Sequence, residues 1–163
     1  MTKPKIAIFP GTFDPPHSGH MDVLAQAAQT FDLVVWAILP NPDKQPRFDL
    51  ETRIAMMRGS ASNFPNVRAA AFEGLLVKAA QSITATHIVR SLRVGMDFDF
   101  EFPMTLVNRK LAPELITVYF PARQEHFHIS STMVRQLIDF GEDVSEYVPA
   151  AVIRRLKEYK NSG

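Results

Sequence analysis

Hydrophobic and polar positions alternate along the chain in blocks of two kinds. Short runs rich in β-branched and aromatic residues lie at Lys5 to Phe9, Leu33 to Leu39, Val67 to Phe72, His87 to Val89 and Leu115 to Phe120. Between them, apolar residues recur at helical spacing over Met21 to Thr30, Leu50 to Ser60, Leu75 to Ser82 and Val94 to Leu111. Strand-like runs interleaved with amphipathic segments predict βαβ units, and so a parallel sheet of about five strands with helices on both faces. The expectation is a doubly wound α/β fold.

Several boundaries have a chemical signal. Asp49 stands ahead of "LETRIAMMR" as an N-cap, with Glu51 in the first turn where a negative charge suits the helix dipole. Ser130 or Ser131 caps "TMVRQLIDF", and Gly141 ends that helix. Pro149 opens a last amphipathic helix over about 149–160. No repeat, low-complexity tract or linker interrupts the pattern, so residues 1–163 are expected to form one domain.

Composition narrows the partners. Lys plus Arg number 18 against 17 Asp plus Glu, a balance that gives no general basic field for nucleic acid. Cysteine is absent, which excludes thiolate metal sites and cysteine nucleophiles. No apolar run reaches the length of a membrane span and no signal-peptide pattern opens the chain, so the expectation is a cytoplasmic protein that binds neither membrane nor nucleic acid.

In such sheets ligands sit beyond the carboxyl ends of the strands, which directs attention to residues 10–20, 40–48, 72–75, 90–93 and 121–132. The first loop, "PGTFDPPHSGH", matches neither the GxxxxGK[ST] nor the GxGxxG pattern. It does place Gly19 and His20 where a helix begins, and free N–H groups there favour an anion. His17 beside them also fits an ordinary turn or cap. The second loop carries Lys44 and Arg47, and "RSLR" brings Arg90 and Arg93 to the end of a strand, where both guanidiniums can face one cleft. Ser130, Ser131 and Thr132 offer hydroxyls and N–H groups at a second helix start. His126 and His128 alternate as in an extended segment and lack a third ligand, while Asp97, Asp99 and Glu101 lie in a helical pattern; no protein-built metal site is expected. Two anion-binding helix starts, a lysine, two arginines and a histidine, without a nucleophilic triad, point to phosphoryl or nucleotidyl transfer.

The strings "PGTFDPPHSGH", "VRSLR", "DFDFE", "VNRKLAPELITVYF" and "HISSTMVR" resemble, in order and spacing, those of the phosphopantetheine adenylyltransferase family, from about Ile6 to Tyr147. The [T/H]xGH and ISS[ST] elements mark only the wider Rossmann-like nucleotidyltransferase superfamily; "LVNRKLAPELITV" is the more specific segment. The resemblance implies AMP transfer from MgATP to 4′-phosphopantetheine, giving dephospho-CoA and pyrophosphate, in a homohexamer, with Mg²⁺ delivered on ATP.

By position, the resemblance makes His20 the stabiliser of the transition state. It puts Thr12 and Lys44 on the attacking phosphate, and Arg90 with Leu75 and Leu76 on the phosphopantetheine side. Gly11, Thr12, His20, Arg93, Glu101 and Ser131 fall on the ATP side. The chain departs from the family at Ser91, usually glycine, at Gly74, often acidic, and in "PPHSGH", which is closer to nicotinate-nucleotide adenylyltransferases. That enzyme is the alternative within the class, and a non-catalytic ATP-binding module the alternative outside it.

Overall fold

A computed structural model describes residues 2–161; the remaining ends of the expected domain, residues 1, 162 and 163, lie outside the described residues. Five strands form one parallel sheet: β1 (Ile6–Gly11), β2 (Leu33–Ile38), β3 (Val67–Ala71), β4 (His87–Leu92) and β5 (Ile116–Pro121). The helices between and after them are α1 (Ser18–Thr30), α2 (Leu50–Ser60), α3 (Leu76–Ser82), α4 (Gly95–Leu111), α5 (Ser131–Asp139) and α6 (Ala150–Asn161). The doubly wound α/β expectation holds.

Period-two side-chain alternation sorts the central strands between two cores. Ala7 and Phe9 of β1 and Val34 and Trp36 of β2 face α1, packing with Val23, Leu24 and Ala27. Ile8, Val35 and Ala37 point the other way, onto Val77 and Ala80 of α3. A sheet covered on both faces explains why these runs are continuously apolar rather than alternating. A third cluster, around Phe48, Met56, Val134 and Val152, joins α2, α5 and α6.

The order β3-β2-β1-β4-β5 means that the chain winds outward from β1 and then crosses back to lay β4 against its other side. β1 and β4 therefore flank the reversal point, where ligands bind in open α/β sheets. Their pairing covers only Ala7↔His87 and Ile8↔Ile88. Beyond it the two strands part, and a cleft opens between their carboxyl ends.

Several boundaries differ from the sequence expectation, and those of β4 and α1 bear on the cleft. β4 runs on to Leu92 because Arg90, Ser91 and Leu92 pair with Tyr119, Phe120 and Pro121 of β5. Arg90 is thus a strand residue, and Ser91 occupies extended backbone that requires no glycine. α1 starts at Ser18 rather than Met21, because His17 caps it. The segment expected to be extended around His126 is a single 3-10 turn, Gln124–His126.

Candidate active site

At the start of α1 the His17 ring accepts the Gly19 N–H through Nδ1 at 3.1 Å, while the His17 N–H donates to Nδ1 of His20, also at 3.1 Å. This reciprocal box satisfies two of the N–H groups that a helix start leaves unpaired. The two imidazoles stack with centroids 3.6 Å apart. Gly19 leaves room for this geometry, since a Cβ there would sit 3.0 Å from the His17 ring, which would have to shift by a few tenths of an ångström. Phe13 closes the other side, edge-on to His20 at 4.8 Å. Its ring also lies against Gly11, where a Cβ would approach to 2.8 Å.

Both imidazoles are held neutral. Burial, then the charges of Arg93 and His126, push His17 down to about 3. Burial, His17, Arg93 and Lys44 hold His20 well below the usual histidine value. A neutral imidazole has one donor and one acceptor nitrogen, and in each ring Nδ1 is already accepting. The proton of His20 therefore resides on Nε2. The helix start presents a fixed, uncharged N–H donor beside its own backbone N–H groups.

The cleft between β1 and β4 has a volume of about 990 Å³. Gly11, Thr12, His20, Lys44, Leu76, Arg90, Arg93, Glu101 and Ser131 all line it. Leu75 and Leu76 stand at one end with Gly74, opposite Met104, Val107 and Leu111 of α4, and give an apolar wall. Lys44 is exposed on its loop, whereas Arg47 turns out of the cleft to pair with Asp139 of α5. Ser130 is the N-cap of α5 and accepts the Met133 N–H at 3.1 Å. Ser131 donates its hydroxyl to the Pro15 carbonyl at 2.9 Å, which ties the second helix start to the first loop.

The arginines are already partnered. The Nε of Arg90 donates to Glu101 at 2.7 Å, with a second guanidinium contact to the same carboxylate oxygen. Arg93 pairs with Asp97, which also accepts the Arg93 backbone N–H at 2.8 Å, and reaches the Ile129 carbonyl at 3.3 Å. Resemblance puts Arg90 and Glu101 beside different substrates; the structure pairs them with each other. Both carboxylates come from the first two turns of α4, so this helix supplies anions to the guanidiniums that line the cleft.

Some residues of the site were not legible in the sequence. Asp14, Arg53 and Arg135 hold the loops together through contacts of long sequence separation. Asp14 and Arg53 are buried, and only the fold reveals their partners: two backbone N–H groups and Arg135 for Asp14, two backbone carbonyls for Arg53. His128 packs against Tyr147 with ring centroids 6.2 Å apart. Among the described residues no group of three or more His, Asp or Glu side chains is placed to hold a metal ion, and no helix is long and apolar enough to cross a membrane.

A parallel sheet with its cleft at the strand reversal, two helix starts in that cleft and a ring of cations define an α/β nucleotidyltransferase. The cytidylyltransferase-like family model matches residues 8–137. A phosphopantetheine adenylyltransferase from Heliobacterium modesticaldum is 43% identical over 94% of this chain and 91% of its own. Another, from Herpetosiphon aurantiacus, is 45% identical over 94% of this chain and 93% of its own. The chain belongs to the phosphopantetheine adenylyltransferase family. Among solved structures, a protein described as a candidate nicotinate-nucleotide adenylyltransferase from Vibrio parahaemolyticus superposes with a TM-score of 0.73, covering 96% of this chain and 93% of that one. Its 24% identity makes that a likeness of fold.

Proposed function

We infer that the protein transfers the adenylyl group of MgATP to 4′-phosphopantetheine, releasing pyrophosphate and forming dephospho-CoA. The observation that carries this reading is convergence. In a chain of this family, Thr12, His20, Lys44, Arg90, Arg93 and Ser131 come from four separate segments and line one cleft beside an apolar wall.

An oxygen of the phosphopantetheine phosphate attacks the α-phosphorus, and the bond from that phosphorus to the bridging oxygen of pyrophosphate breaks. The bonding electrons leave with pyrophosphate. A phosphate monoester with a second pKa of about 6 is largely a dianion at neutral pH and requires no general base. The chain's work is positioning and charge stabilisation. Thr12 and Lys44 hold the attacking phosphate, and Arg90 supports the acceptor. Arg93 and the α5 start, with Ser131, receive the ATP phosphates, while Gly11 and Glu101 complete the ATP side. Nε2–H of His20 donates to the α-phosphate oxygens as negative charge builds there. Leu75 and Leu76 flank the uncharged pantetheine arm.

Mg²⁺ enters as part of the nucleotide, held by phosphates and water, a mode this ion favours. Homohexameric assembly in the cytoplasm completes the reading. Self-association is supported by α4, whose Phe98, Phe102 and Leu106, exposed at 38%, 41% and 52%, recur at four-residue spacing along one helix face outside the cleft lining.

The test is pyrophosphate release from MgATP with phosphopantetheine, nicotinate mononucleotide or nicotinamide mononucleotide. Release with phosphopantetheine alone is expected. Preference for either mononucleotide overturns the acceptor assignment, and nucleotide binding without release in every arm would indicate a non-catalytic module.

A further inference from the structure

Asp14 and Arg53 are buried charged side chains that contact no substrate in the mechanism above. Asp14 leaves the first loop and uses its two carboxylate oxygens separately. Oδ2 accepts the Arg47 N–H and Oδ1 the Phe48 N–H, both at 2.9 Å. Arg53, on α2, donates through Nε to the Phe48 carbonyl and through Nη1 to the Thr12 carbonyl, both at 2.9 Å. The contacts close a ring: Thr12 to Arg53, Arg53 to Phe48, Phe48 to Asp14, and Asp14 back along the chain to Thr12. Arg135 of α5 buttresses it, donating to the Asp14 carbonyl at 2.7 Å and lying 3.6 Å from its carboxylate.

The ring joins the two loops that carry Thr12 and Lys44. Lys44 itself is exposed, and the nearby hydrogen bonds, from the Lys44 and Asp43 N–H groups to Asn41, are internal to its loop. The loop is anchored to the first loop at its start, where the Leu39 N–H donates to the Gly11 carbonyl at 3.2 Å, and at its end, at Arg47 and Phe48, so the position of Lys44 relative to Thr12 depends on both and the buried ring fixes the second. We propose that Asp14 and Arg53 are positioning residues for the acceptor phosphate, fixing the separation between Thr12 and Lys44 by clamping the second loop onto the first. The proposal rests on the functional reading above and extends it to side chains that touch no substrate.

A carboxylate is required because only it offers an acceptor oxygen to each of two adjacent N–H groups; an amide presents a donor to one of them and leaves a buried N–H unpaired. A guanidinium is required because its rigid fork reaches two carbonyls at once, which a lysine ammonium does not reproduce. Both side chains direct these hydrogen bonds to backbone groups of the two loops rather than to each other, which is the pattern of a geometric role.

The experiment is a double-mutant cycle on pyrophosphate release, with kcat and KM measured separately for ATP and phosphopantetheine. Asp14→Asn is expected to lower kcat/KM for phosphopantetheine by roughly 10²-fold, the scale of about a 1 Å misplacement, with the KM for ATP nearly unchanged. Arg53→Lys should act in the same direction more weakly, and it carries the test if Asp14→Asn does not fold. In a Lys44→Ala background each substitution should cost no more than about a further twofold, because the group being positioned has gone. Losses that multiply with Lys44→Ala, or that fall equally on ATP, would overturn the proposal and leave the functional reading intact. Wild-type protein that released no pyrophosphate with phosphopantetheine would remove both.

Discussion

At the start of α1, two imidazoles are stacked, neutral and locked to backbone N–H groups, and His17 is only 6% exposed. Across the cleft, at the end of β4, Arg90 and Arg93 are charged, with side chains 28% and 36% exposed, and each holds a carboxylate from α4. In the proposed function both regions attract phosphate. The first does so with a donor that has nothing to rearrange, since the Nδ1 atoms are used in the cap and Nε2–H is free to face a ligand. The second must exchange Glu101 or Asp97 for an incoming phosphate, or bind it alongside them. A group preformed in this way suits charge that appears only in the transition state, whereas paired guanidiniums suit recognition of charge already present on a substrate.

Removing the preformed donor should have the largest consequence. His20→Ala is expected to lower kcat by roughly 10²–10³-fold, the scale for one preorganised donor, with much smaller changes in either KM. A loss expressed mainly in KM would place His20 with the recognition groups and erase the contrast.

The arginine side should divide by substrate. Arg93→Ala is expected to raise the KM for ATP, and Arg90→Ala or Lys44→Ala that for phosphopantetheine, each by roughly 10–100-fold, as befits a lost charged hydrogen bond of about 1.5–3 kcal/mol. Steady-state kinetics with each substrate varied in turn decides this. Equal effects on both substrates would show that the Arg90–Glu101 and Arg93–Asp97 pairs act as one unit.

The smallest expected effect is at His17. Threonine is also a good N-cap, so His17→Thr should cost less than about tenfold in kcat/KM, or ~1.4 kcal/mol. Its clearer signature is in acid. A histidine held at about 3 in the fold, against 6.5 when unfolded, leaves the unfolded chain binding more protons across that interval. Wild-type stability therefore falls as pH drops below 6.5 toward 3, with a slope of up to about 1.4 kcal/mol per pH unit from this residue. His17→Thr should flatten that fall, leaving the part due to His20. Thermal melts at neutral and mildly acidic pH read the difference, and parallel acid losses in both proteins would contradict the buried, neutral cap.

The same contrast separates what the sequence made legible from what it did not. Alternating runs disclosed the sheet and its loops, because both cores need continuous apolar strands. The motif strings carry Gly11, Thr12, His20, Arg90, Arg93, Glu101 and Ser131, position in the family adds Lys44, Leu75 and Leu76, and every one lines the cleft. The extension of β4 through Arg90, Ser91 and Leu92 was not legible, since pairing with β5 rather than hydrophobicity holds it. Nor was the pairing of Glu101 with Arg90, which lies eleven residues earlier on a different element. The capping role of His17 was among the sequence readings, but its reciprocal bond with His20 depends on ring orientations that only the structure supplies. Asp14 and Arg53 were passed over because a buried ring spanning 34 and 41 residues of sequence leaves no local pattern.

The central claim is that α1 offers the reacting phosphate a neutral, preformed donor. Nitrogen-15 NMR of histidine-labelled protein tests it directly through the ring-nitrogen shifts of His20, assigned by comparison with His20→Ala. The account predicts the neutral Nε2–H tautomer at pH 6.5, the ordinary histidine midpoint, with no titration there. An imidazolium signal at that pH, or a proton on Nδ1, would contradict it.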